Sequence, residues 1–133
     1  MRDSARAATP HSELVRPGEE DERLTSEGVR ILESWNVPRD PEVSIARARL
    51  LPGETTRWHY LVDTVERYLV VSGSGTVELG DRSPEAVGPG DVVVIPSETA
   101  QRIRCDGPEE LVFYCVCTPR FQPSSYRDGK PPG

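Results

Sequence analysis

From Val29 onward the apolar residues come in short runs, and each run stops at glycine or proline. Val29 to Trp35 reads as a first strand. Val43 to Leu51 alternates in part, with Val43, Ile45, Arg47 and Arg49 on one face, and halts at Pro52-Gly53. Arg57 to Leu61 is a short strand carrying the first histidine of this region. Glu66 to Ser72 is strongly β-forming and ends at Gly73-Ser74-Gly75. Thr76 to Leu79 turns at Gly80-Asp81, Val92 to Ile95 stops at Pro96, and Gln101 to Cys105 ends at Asp106-Gly107-Pro108. Leu111 to Cys117 is the most apolar run and ends at Pro119. No segment carries a helical period. Short strands with turn residues at intervals of roughly ten predict an all-β sandwich or barrel.

The flanks differ. Residues 1–27 hold Pro10, Pro17, Gly18 and the run Glu19-Glu20-Asp21-Glu22-Arg23, with few apolar residues. This predicts a solvated, mobile arm, with His11 a surface residue. Residues 122–133 are polar and rich in proline and glycine, which predicts a flexible tail. The expected organisation is arm 1–27, barrel 28–121 and tail 122–133.

At 133 residues the chain is one domain long and can bury a core without disulfides. A net charge of -6 argues against a nucleic-acid groove, which needs a concentrated basic face. No apolar run is long enough for a membrane span, and the charged first thirty residues do not form a signal peptide. The expectation is a cytoplasmic protein that binds neither nucleic acid nor membrane. Cys105, Cys115 and Cys117 lack metal-knuckle spacing. Cys115 and Cys117 share one strand face, and the three read as small buried hydrophobes.

Two glycine-anchored blocks carry the remaining signal. Gly53, His59, Glu66 and Gly73 occupy slots of the pattern G-x5-H-x-H-x(3,4)-E-x6-G. Gly90 and Pro96 fall on G-x5-P-x-G-x2-H. Together they resemble the two motifs of the cupin superfamily, over roughly residues 29–121. The wider string, including Thr56-Arg57-Trp58-His59 and Cys117-Thr118-Pro119-Arg120-Phe121, is similar to small single-domain bacterial cupins whose members mostly lack an assigned activity. The resemblance implies a double-stranded β-helix, the jelly-roll barrel of that family. The chain departs from the motifs at two imidazole slots, which hold Leu61 and Gln101.

The resemblance places His59, Glu66 and Gln101 around one point near the barrel mouth. As a metal site for Fe, Mn, Ni or Zn, this set offers one imidazole, one carboxylate and one weak amide donor. Without metal, His59 and Glu66 form a pair suited to proton transfer, with Tyr68 as an additional donor. Strand alternation sets Leu61 beside His59 and Ile103 beside Gln101, as substrate-facing candidates. Arg47 and Arg49 are candidates for holding an anionic substrate, against the alternative of a solvated face paired with acids. The leading expectation is a small-molecule isomerase or cyclase that needs no cofactor, with His59, Glu66 and Tyr68 catalytic and Gln101 orienting the substrate. The alternatives are a metal-dependent dioxygenase or isomerase and a non-catalytic metabolite-binding barrel. A homodimer is expected from the sheet edges.

Overall fold

The computed structural model describes residues 11–132. Eleven strands run β1 (Arg23–Leu24), β2 (Arg30–Trp35), β3 (Ser44–Leu50), β4 (His59–Leu61), β5 (Val65–Ser72), β6 (Gly75–Leu79), β7 (Glu85–Val87), β8 (Val92–Ile95), β9 (Gln101–Cys105), β10 (Leu111–Thr118) and β11 (Tyr126–Asp128). They form two antiparallel sheets. One has the order β1-β2-β3-β10-β5-β8 and the other β11-β4-β9-β6-β7. This is the expected jelly-roll barrel. Among the described residues, no helix is long and apolar enough to cross a membrane.

Alternation along β5 shows how the sequence builds the wall. Glu66, Tyr68 and Val70 turn inward, while Arg67, Leu69 and Val71 turn outward. The core between the sheets is closed by Leu50, Val70, Ile95, Ile103, Leu111 and Phe113, none more than 2% exposed. Each such side chain contributes about 1.5–3 kcal/mol by leaving water. The turn from β5 to β6 depends on Gly73. Its φ is +84°, and a Cβ there would lie 2.2 Å from the Glu110 carbonyl oxygen. Neither the dihedral nor the gap admits a side chain.

Both flanks are parts of the barrel rather than appendages, which corrects the expectation of a mobile arm and a flexible tail for their described residues. Residues 1–10, and with them most of the predicted arm's start, lie outside the described residues. Beyond them, Glu19–Asp21 forms a single 3-10 turn, and β1 then pairs with β2, Arg23 opposite Ile31 and Leu24 opposite Arg30. The connection is a tight turn, in which the Gly28 amide donates to the Thr25 carbonyl and the Thr25 amide to the Val29 carbonyl. At the other end Pro123–Ser125 forms a 3-10 turn, and β11 adds to β4, Asp128 opposite His59. Composition alone suggested solvation. Backbone pairing and ion pairs to the barrel override it.

Arg47 and Arg49 supply those ion pairs. Both guanidiniums lie on the outer face of β3. Arg49 donates to Glu22 at 2.7 Å and to Glu110 at 2.9 Å, and Arg47 to Glu19 at 2.7 Å and Glu22 at 3.0 Å. The Arg49 guanidinium, aided by Arg47, holds the Glu22 carboxyl down at about 2. The candidate anion-binding role for Arg47 and Arg49 is thereby corrected. The inward positions of β3 are Ala46, Ala48 and Leu50, and the arginines tie the N-terminal segment to the barrel wall.

Candidate active site

The two sheets separate at one end around a cavity of about 300 Å³. His59, Glu66 and Tyr68 all line it, so the three candidate catalytic residues meet at one place. The five remaining candidates in the barrel do not line the cavity. Arg47 and Arg49 point outward. Ile103 is wholly buried in the core, and Leu61 is 4% exposed within the second sheet. Gln101 lies opposite His59 across β4 and β9, is 1% exposed, and is not among the residues that line the cavity. Its Oε1 accepts a short hydrogen bond from the Tyr68 hydroxyl. Gln101 therefore orients Tyr68, and the Tyr68 proton is committed to it.

His59 is fixed on both nitrogens. Nδ1 lies 2.8 Å from the Arg57 carbonyl oxygen. A carbonyl oxygen only accepts, so Nδ1 carries a hydrogen. Nε2 is 3.1 Å from Oε2 of Glu27. The contact is an ion pair when the imidazole is protonated and Glu27 ionised, and a polar contact otherwise. The partner of His59 is thus Glu27, at the tip of the β1–β2 turn, and not Glu66. The Glu27 carbonyl accepts from the Arg57 amide at 2.9 Å, which pins the turn against the start of β4. Burial pushes the Glu27 carboxyl up, while the charge of His59 pulls it down.

Glu66 faces the same space from β5. Burial pushes its carboxyl up to about 7, opposed by His59 and reinforced by the charge of Glu27. Its Oε1 is buried without a hydrogen-bond partner in the protein. Cys117 sits opposite Glu66 in the β10–β5 register, and Cys115 opposite Tyr68. Both thiols line the cavity, and both are pushed well up, first by burial and then by the charge of Glu66. They stand there as protonated thiols. Tyr126 stacks on His59 with ring centroids 5.3 Å apart and planes 17° apart. Burial raises its phenol to about 12, so it keeps its proton.

Glu27, Tyr126, Cys115 and Cys117 are the site residues that sequence reasoning missed. The shared face of the two cysteines was visible, but not that Glu66 lies across from it. Glu27 and Tyr126 sit in flanks whose composition carried no sign of a site.

A metal ion needs several donors converging with free lone pairs. Leu61 provides none, and Gln101 Oε1 is engaged by Tyr68. Among the described residues, no three His, Cys, Asp or Glu side chains are grouped to hold a metal. The donor set of His59, Glu66 and Gln101 therefore does not fit a resident metal ion.

Several solved structures share this architecture. KdgF from a Halomonas species superposes with a TM-score of 0.72 at 19% identity, over 84% of this chain and 97% of that one. Pac13, a nucleoside dehydratase, gives 0.71 at 18% identity, over 89% and 92%. The Streptomyces protein has also been solved with uridine. A predicted oxalate decarboxylase from Thermotoga maritima gives 0.70 at 21% identity, over 80% and 98%. At these identities the likeness is one of fold. No curated protein matches the chain. The Cupin domain family matches residues 46–117, more than half of the sequence. With both motif blocks on strands of a two-sheet jelly roll, the chain belongs to the cupin family.

Proposed function

We propose that this cupin is a small-molecule enzyme working by proton transfer, of the isomerase, cyclase or dehydratase type. The observation that carries the reading is the 3.1 Å contact of His59 Nε2 with Glu27 in a cavity that also holds Glu66, whose carboxyl burial pushes up to about 7. Where a substrate displaces the Glu27 carboxyl from Nε2, that nitrogen's lone pair is free to act as base toward a C–H next to a carbonyl. Glu66, protonated below about 7, supplies a proton to the carbonyl oxygen or to a departing hydroxyl. In isomerisation the proton returns to a neighbouring carbon. In dehydration the hydroxyl leaves as water. Tyr68, held by Gln101, and Tyr126, stacked on His59, position the substrate rather than titrate. That a structural relative is a nucleoside dehydratase is in keeping with such chemistry on this fold.

The test is deuterium exchange in D₂O, followed by NMR, over a panel of α- and β-hydroxy ketones and aldehydes. The expected result is protein-dependent loss of the α-proton signal, abolished in His59→Gln and reduced in Glu27→Gln. Exchange equal in wild type and His59→Gln would remove the base assignment. Bound compounds with no exchange would favour a carrier or sensor of small metabolites.

We also propose that the protein is a homodimer. Leu69, Val71, Val92 and Val94 stand 43–59% exposed on the outer face of β5 and β8, and β8 is the open edge of its sheet. A contiguous apolar face beside an unpaired edge is suited to a second copy.

A further inference from the structure

The cavity is unbalanced in charge. Its deeper titratable walls are Glu27, Glu66 and His59, with Arg23 and Glu33 facing each other in sign at the exposed rim. His59 Nε2 lies 3.1 Å from Glu27 Oε2, so a positive charge on the imidazole would be offset there. Glu66 has no such partner. It is 9% exposed, and its Oε1 is buried and accepts nothing from the protein. No lysine lines the cavity, and Arg47 and Arg49 are turned to the outside and consumed by Glu19, Glu22 and Glu110. An anionic ligand would meet two carboxyls, and His59, the one deep group able to carry positive charge, already faces Glu27. The rest of the wall includes four aromatic rings, Tyr68, Phe113, Phe121 and Tyr126. Ring faces attract cations, and more strongly where water is displaced. A buried carboxylate oxygen lacking a donor beside several aromatic faces is complementary to an ammonium group on an apolar body.

We infer that the ligand of this cavity is a small amine or other organic cation with an apolar body, and that Glu66 is its counter-ion. The inference rests on the reading that this cavity is the working site, and it narrows the class of molecule that enters; with an ammonium bound, Glu66 is a carboxylate and the ammonium it holds is the proton donor.

The test is calorimetric titration of the full-length protein near pH 8 with three probes of matched shape: phenethylamine, 2-phenylethanol and 3-phenylpropionate. The amine is expected to bind at least about ten-fold more tightly than the alcohol, with the carboxylate weakest. In Glu66→Gln the amine should fall to the level of the alcohol while alcohol binding persists, which also reports that the variant is folded. Equal affinity for amine and alcohol in the wild type, preference for the carboxylate, or no amine binding in the millimolar range would each overturn the inference. So would an amine preference that survives Glu66→Gln. Wild-type selectivity alone decides the matter if the variant does not fold. The result separates cleanly from the exchange assay. Amine selectivity without α-proton exchange keeps this inference and removes the catalytic reading, and exchange without amine selectivity does the reverse.

Discussion

Glu66→Gln offers a sharp physical test of the site through stability, independent of any ligand. The wild-type carboxyl titrates at 4.5 when free and at about 7 in the folded protein. A raised midpoint means the folded state holds the proton more firmly than the unfolded state. The associated stability is fully present below 4.5 and is lost as pH rises through about 7. At about 1.4 kcal/mol for each pH unit between the midpoints, the loss approaches ~3 kcal/mol. Water entering the cavity mouth will lower it, so about 2–3 kcal/mol is the working range. Glutamine has nearly the same shape and cannot ionise. The variant should therefore match the wild type near pH 4 and exceed it by this amount at pH 8. Urea unfolding followed by tryptophan fluorescence at both pH values measures the difference. A stability gap that does not change with pH, or a variant less stable at pH 8, would refute the account of Glu66 as a carboxyl whose proton is held by burial.

Other consequences are smaller or more local. Glu22→Gln should lower stability by about 0.5–1 kcal/mol at pH 7, as expected of a surface-proximal ion pair. Because Arg49 depresses the Glu22 carboxyl, that contribution is present above 4.5 and fades as pH falls through about 2, so wild type and variant should converge in acid unfolding curves. Glu98 adopts φ of 63° in the turn after β8, a conformation that disfavours side chains. Glu98→Gly should raise stability by about 0.5–1 kcal/mol after the extra freedom of the unfolded glycine is subtracted, read as a higher denaturant midpoint. Val92→Glu with Val94→Glu should convert a dimer to a monomer in light scattering. A monomeric wild type would remove the proposed interface.

The barrel was legible in the sequence because its strands carry their own signals. Each inward run alternates or stays apolar, and each ends at a residue that turns the chain, as at Pro52-Gly53 and Gly73. The short β7 and the terminal pairs β1 and β11 were not legible. Their residues have little hydrophobic pattern and are held by partners far away in sequence, such as Glu22 by Arg49 and Asp128 by Arg57. The site divides along the same line. His59, Glu66 and Tyr68 follow from motif spacing and two-residue alternation. That His59 faces Glu27, and that Arg47 and Arg49 face away, depends on which side of β3 the N-terminal segment crosses. Alternation fixes which residues share a face but not which face is inside.

The β1–β2 turn also bears on how such proteins diversify. The strands matched by the cupin family bring His59, Glu66, Tyr68, Cys115 and Cys117, whereas Glu27, Phe121 and Tyr126 come from chain outside that matched span. A single barrel can therefore change what it accepts by exchanging its ends, leaving every strand of the central scaffold untouched. Two cupins with superimposable barrels and the same motif histidine need share no chemistry if their termini differ. A protein trimmed to the matched span would keep His59 and lose the group that sets its proton.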